Sequence, residues 1–162
     1  MFYQKVLYNA EMPHINEFYD YVTAVFIVHN NKVLLADHPR YGMWFPIGGH
    51  VELTEDPEEA LFREVREETG LEVSFLSQRP ETGDNSTKVL LAPQYMDVTK
   101  AGESHKHIGL VYFAKTENEN FIKSDEHTNM RWFSKEEIIG GEYNVPKLAT
   151  FYALKSLEAF SK

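Results

Sequence analysis

Three glutamates, Glu64, Glu67 and Glu68, fall within a few residues of one another in a stretch that reads as a helix. A helix advances ~100° per residue, so side chains three and four positions apart share a face. All three carboxylates therefore point the same way. Like charges at that spacing destabilise a helix by about 0.2–0.5 kcal/mol per pair. One reading is a solvated acidic face, with Arg63 and Arg66 as ordinary surface partners. The other is a site for a hard cation. Magnesium takes oxygen ligands in octahedral geometry and usually binds through few carboxylates, together with water and substrate phosphate. Helix spacing alone leaves both readings open.

The helix that must carry these groups is expected over Thr54 to Thr69. Asp56 can cap it, Pro57 suits its first position, Glu58 and Glu59 complement its N-terminal dipole, and Gly70 can close it. Leu61, Phe62 and Val65 lie on the other side and are expected to anchor it in the core. Residues 39–50 mix prolines and glycines with aromatics, which predicts an irregular loop with a short strand at Trp44-Phe45. Strands are expected over Tyr21 to His29 and Lys32 to Ala36, joined at Asn30-Asn31. Further strands are expected over Leu71 to Leu76, Lys88 to Val98, His107 to Lys115 and Asn129 to Phe133. Ser134 and Glu137 form a capping box for a short helix. Leu148, Phe151, Tyr152, Leu154 and Leu157 give the segment from Val145 to Phe160 a helical apolar stripe. Strands and helices mix without strict alternation, so the expected class is α/β (α+β), a mixed central sheet with helices on its faces.

The 162 residues fit one domain, with residues 1–20 as an N-terminal extension packed on it. The apolar fraction, 43%, is enough for a sizeable core. A formal net charge of −9 argues against binding polymeric nucleic acid, which needs a basic surface. It does not argue against a small anionic substrate if cations lie between substrate and protein. There is no cysteine, so disulfides, thiolate metal sites and a cysteine nucleophile are excluded. The first twenty residues lack the apolar core of a signal peptide, and no apolar run approaches the ~18 residues of a membrane span. A soluble cytoplasmic protein without a membrane partner is expected.

The wider pattern separates the two readings of the glutamates. Gly49, five residues, Glu55, seven residues, Arg63-Glu64-Val65, one residue, Glu67-Glu68, one residue, Gly70-Leu71 runs without a break. In this it resembles the signature of the Nudix hydrolase family. The resemblance implies a Nudix-like α/β/α sandwich with a mixed sheet. It implies Glu64, Glu67 and Glu68 as ligands of Mg2+ or Mn2+, joined by the Gly49 carbonyl, with Arg63 and Glu55 supporting them. Glu52 matches a further glutamate frequent in the family. Two positions depart from the commonest form: Pro46-Ile47-Gly48-Gly49 carries an extra residue, and Leu53-Thr54 replaces a frequent Pro-Gly turn.

The resemblance also implies hydrolysis of a nucleoside diphosphate linked to another group, with water attacking phosphorus and cations neutralising the diphosphate. The general base varies in such enzymes. Glu64 is one candidate. Glu103, His105 and His107 in one polar loop, and Glu126 and His127 in another, are alternatives, since histidine titrates near neutrality. Arg40, Tyr41 and Trp44 precede the box and are candidates to hold phosphate or stack on a base, with packing as the competing role for Trp44. Phe45 and Tyr95 carry the same ambiguity, and His29 and His38 read as structural or surface residues. A small nucleotide-type anion is the expected partner, and a homodimer is left open. The alternative function is a catalytically inactive nucleotide-binding or sensor module of the same fold. Such modules usually show damage among the box glutamates, and here all are intact. A prenyl diphosphate isomerase would need a cysteine, and no loop has the alternating ligands of an EF-hand.

Overall fold

A hairpin opens the fold. Strand β1 (Tyr19–His29) turns at Asn30 and Asn31, both at positive φ (44° and 58°), into β2 (Lys32–His38). Two successive positive φ angles match the twist of a two-residue hairpin, and asparagine tolerates them. The other strands are β3 (Met43–Phe45), β4 (Ser74–Phe75), β5 (Tyr95–Lys100), β6 (Lys106–Lys115) and β7 (Asn129–Ser134). Helices α1 (Pro57–Thr69), α2 (Lys135–Ile139) and α3 (Lys147–Phe160) complete the order. This computed structural model describes residues 18–84, 86–102, 105–122 and 127–161. Most of the expected N-terminal extension thus lies outside the described residues, and Tyr19 and Asp20 belong to β1 instead.

The strands form one mixed sheet in the order β3-β2-β1-β6-β4, with β5 also on β6 and β7 also on β2. The central pair, β1 and β6, is parallel, and Asp20 lies opposite His107 in its register. Strand alternation divides β1 between two cores. Val25 and Ile27 pack with Leu61 and Val65 of α1. Phe26 and Val28 pack with Tyr152, Ala153 and Leu157 of α3. The helices therefore cover opposite faces, giving the expected mixed sheet between helical layers.

Helix α1 starts one turn later than expected but on the expected signals. The Asp56 carboxylate accepts from the backbone N–H of Glu58 and Glu59, the Glu59 side chain returns the bond, and Gly70 ends the helix in the left-handed region. Four other expectations need correction. Phe62 is exposed, resting edge-on against Phe75 outside the core. Leu148 and Phe151 are also exposed, because α3 turns Ala149, Ala153 and Ser156 to the sheet beside Tyr152 and Leu157. Small side chains there bring the helix close and leave larger ones at its flanks. The strand expected over Lys88 to Val98 is present only from Tyr95. Its upstream half is held by a side chain: the Leu91 N–H donates to the buried Glu58 carboxylate at 2.9 Å. Likewise only Ser74 and Phe75 of the segment from Leu71 pair with β6.

Candidate active site

Where β2 diverges from β1, the segment from Ile47 to Val51 takes its place. Val25, Thr23 and Val51 donate backbone N–H groups to Ile47, Gly49 and Tyr21, at 2.7–2.9 Å. This pins the loop against the sheet and turns Gly48-Gly49 toward α1. Gly48 adopts φ +142°, and a Cβ there would collide with the Thr23 carbonyl. A Cβ on Gly49 would collide with the Glu64 carboxylate. Both glycines are therefore required by close approach, of backbone in one case and of a box carboxylate in the other.

The carboxylates differ in burial. Glu64 and Glu68 are 8% and 3% exposed, whereas the Glu67 side chain is 55% exposed. A buried ionised carboxylate costs several kcal/mol unless it is paired or hydrogen-bonded. Arg63 supplies much of that compensation. Its Nε and Nη2 donate to the two oxygens of Glu55 at 2.6 and 2.9 Å, and Nη1 donates to Glu64 at 2.8 Å. Nη2 also donates to the His50 carbonyl at 3.1 Å. Glu67 is reached more loosely, at 3.4 Å. The fork geometry of arginine suits this network, which a point-charge lysine cannot reproduce. It holds Arg63 protonated, its pKa raised first by the hydrogen bond to Glu55. In return, the Arg63 hydrogen bond lowers the Glu55 carboxyl below its ordinary 4.5. Glu68 accepts from the Gly48 N–H at 3.2 Å and meets His127 Nε2 at 3.0 Å. His127 thus comes from the loop before β7 onto a box glutamate.

On the opposite face of the sheet lies a cavity of about 300 Å³. Val22, Ala24 and Phe26 of β1 form its floor, with Gly109 and Val111 of β6 and Ala149 and Tyr152 of α3 around it. Phe45 and Pro46 line one side. The loop that meets the box glutamates through Gly48-Gly49 therefore borders this cavity two residues earlier. Asp97 adds a carboxylate to the apolar wall and accepts from the Tyr152 hydroxyl at 2.8 Å. Burial and this contact push the Tyr152 phenol up to about 12.

His107 also lines the cavity, and Asp20, His50 and His105 gather beside it. His105 Nε2 lies 2.8 Å from Asp20 Oδ2, and His50 Nε2 lies 3.3 Å from His107 Nε2. Burial holds His107 below its ordinary pKa, and its histidine neighbours add to this against the opposing pull of Asp20.

Glu55, Arg63, Glu64, Glu67, Glu68 and Gly49 are thus brought together as their spacing implied. His105 sits apart from that network, against Asp20 on the other face. Glu103 and Glu126 lie outside the described residues. Trp44 packs edge-on against Phe133 and Tyr143 in the α3 core, and the cavity wall is taken by Phe45. Arg40 is exposed, its guanidinium over the Tyr41 ring. Tyr95 stacks among Phe113, Phe151 and Tyr152. Asp20, His50, Asp97 and Tyr152 were not identifiable as site residues in sequence. They meet through strand pairings and helix packing between distant segments.

The fold and box together define a class. The NUDIX domain family matches residues 19–154, and the chain belongs to the Nudix hydrolase family. A CTP pyrophosphohydrolase of Escherichia coli is 28% identical over 142 residues, covering 83% of this chain and 93% of that protein. The NAD-capped RNA hydrolase NudC of Vibrio atlanticus is 48% identical over 52 residues, 31% of this chain, and that match spans only 19% of NudC. Among solved structures, a NUDIX-family hydrolase from Clostridium perfringens superposes with a TM-score of 0.76 at 30% identity, covering 88% of this chain and 98% of that one. Enzymes of this family act on nucleoside diphosphate derivatives and generally use a divalent metal.

Proposed function

We propose that this chain hydrolyses a phosphoanhydride in a nucleoside diphosphate joined to another group, with Mg2+ or Mn2+ held by Glu64, Glu67, Glu68 and the Gly49 carbonyl. The observation that carries this reading is the burial of Glu64 and Glu68 against Gly48-Gly49, at a place where a side chain on Gly49 would exclude a carboxylate. All the donors are oxygens, the set a hard cation prefers. A solvated acidic face would show none of this burial.

A divalent cation held by Glu64, Glu67, Glu68 and the Gly49 carbonyl would supply charge neutralisation for the diphosphate and a lowered pKa for the attacking water. Arg63 and Glu55 fix the orientation of Glu64, and Gly48 and His127 fix that of Glu68. Glu64 is the base we favour, because His105 is engaged with Asp20 on the other face. The apolar cavity takes the nucleoside end, where Tyr152 and Asp97 offer polar contacts at an otherwise apolar wall. The substrate then spans the Pro46–His50 loop from cavity to box.

The test is a panel of nucleoside triphosphates including CTP, nucleotide sugars, dinucleoside polyphosphates, ADP-ribose and NAD, each assayed for phosphoanhydride cleavage with Mg2+. CTP and NAD are included because one relative is named for CTP and another for NAD-capped RNA. Turnover lost on chelation supports the reading. Tight binding of these nucleotides without turnover would replace it with the sensor alternative.

A further inference from the structure

The histidines beside the cavity form a second constellation, separate in position and chemistry from the box. Asp20, His105 and His107 each offer one donor atom, and the three atoms lie within 4.8 Å of one another. Parallel pairing of β1 with β6 sets Asp20 opposite His107. His50 lies opposite Val22, two residues along β1 from Asp20, so alternation places it on that same face. Its Nε2 is 3.3 Å from His107 Nε2 and 3.9 Å from Asp20 Oδ2. Its side chain is 56% exposed, which leaves the ring room to swing.

These separations have a chemical scale. Tetrahedral zinc binds imidazole nitrogen and carboxylate oxygen at roughly 2.0–2.2 Å, which puts neighbouring donors roughly 3.3–3.6 Å apart. The measured donor pairs, 2.8, 3.3 and 3.9 Å, bracket that range. Imidazole donors suit zinc, copper, nickel and cobalt, whereas magnesium prefers oxygen alone. We infer that Asp20, His105 and His107, with His50 as fourth donor, form a transition-metal site selective for Zn2+ over Mg2+. It ties the starts of β1 and β6 to the loop that joins cavity and box. The inference does not depend on the hydrolase reading, since it concerns binding alone.

The test uses the full chain freed of metal by chelation. Co2+, which substitutes for Zn2+ and absorbs visibly, is titrated in a large excess of Mg2+. Wild type should take up one equivalent with the bands of low coordination number, and Zn2+ should displace it. His105→Gln/His107→Gln should weaken Co2+ by tenfold or more, and so should Asp20→Asn, with circular dichroism confirming that each variant folds. Glu64→Gln/Glu68→Gln should bind Co2+ as wild type does. Uptake lost in the glutamate variant and kept in the histidine variant would overturn the inference, because the ion would then lie in the box. Absence of Co2+ uptake by folded wild type would overturn it equally.

Discussion

The Pro46–His50 loop has two sides that differ in kind. On the α1 side, charges are buried and densely paired: Arg63 alone reaches Glu55, Glu64, Glu67 and the His50 carbonyl. On the α3 side, the cavity is mostly apolar, with a single carboxylate bonded to a tyrosine and histidines at its edge. The first arrangement fixes a few oxygens in place. The second leaves space. In the proposed reading the first side holds the diphosphate and the second the nucleoside, and one short loop serves both.

Substitutions should separate the two sides. The largest effect is expected for Glu68→Gln, which keeps shape and removes charge. Turnover should fall by about 10²–10³, with thermal unfolding little changed. Gly49→Ala forces a methyl group against Glu64 and should lower turnover by about 10–100-fold, again measured beside a melting curve. Arg63→Ala leaves Glu55 and Glu64 without their shared partner. It should cost about 3 kcal/mol in denaturant unfolding, and Arg63→Lys should recover only part of that loss.

A smaller, pH-dependent effect belongs to Glu55. Its folded pKa lies below the ordinary 4.5, chiefly through the Arg63 hydrogen bond. A depressed carboxyl contributes stability in full above its unfolded value and loses it as pH falls through the folded one. Stability should therefore decline as pH drops below 4.5, and Glu55→Gln should flatten that limb in urea titrations at stepped pH. On the cavity side, Tyr152→Phe removes the bond to Asp97 and should change KM by only a few-fold, with kcat held. A large loss of kcat there with KM unchanged would move the chemistry across the loop.

The same contrast governs what could be read in the sequence. Asp56, Pro57, Glu59 and Gly70 mark α1 because caps are local, and the box glutamates follow from one helical period. Burial was less legible. Glu58 looks like a dipole-complementing surface residue, yet it is 3% exposed and holds Arg79 and the Leu91 N–H. Its partners come from a loop more than twenty residues away, a non-local meeting that composition cannot reveal. The face of α3 was only half legible for a related reason: Tyr152 and Leu157 of the apolar stripe are buried, but Ala149, Ala153 and Ser156 fill the rest of the contact and leave Leu148 and Phe151 exposed. His105 and His107 were legible only as residues of a polar loop, because their meeting with Asp20 and His50 depends on the parallel register of β1 and β6 and on the loop that replaces β2.

We propose that the buried carboxylates of α1 hold the divalent cation. Mn2+ binding followed by electron paramagnetic resonance tests it most directly, in a His105→Gln/His107→Gln background so that the box is read alone. Saturable Mn2+ binding is expected, weakened tenfold or more by Glu64→Gln/Glu68→Gln while the circular dichroism spectrum stays the same. Undiminished Mn2+ binding by that folded variant would contradict it.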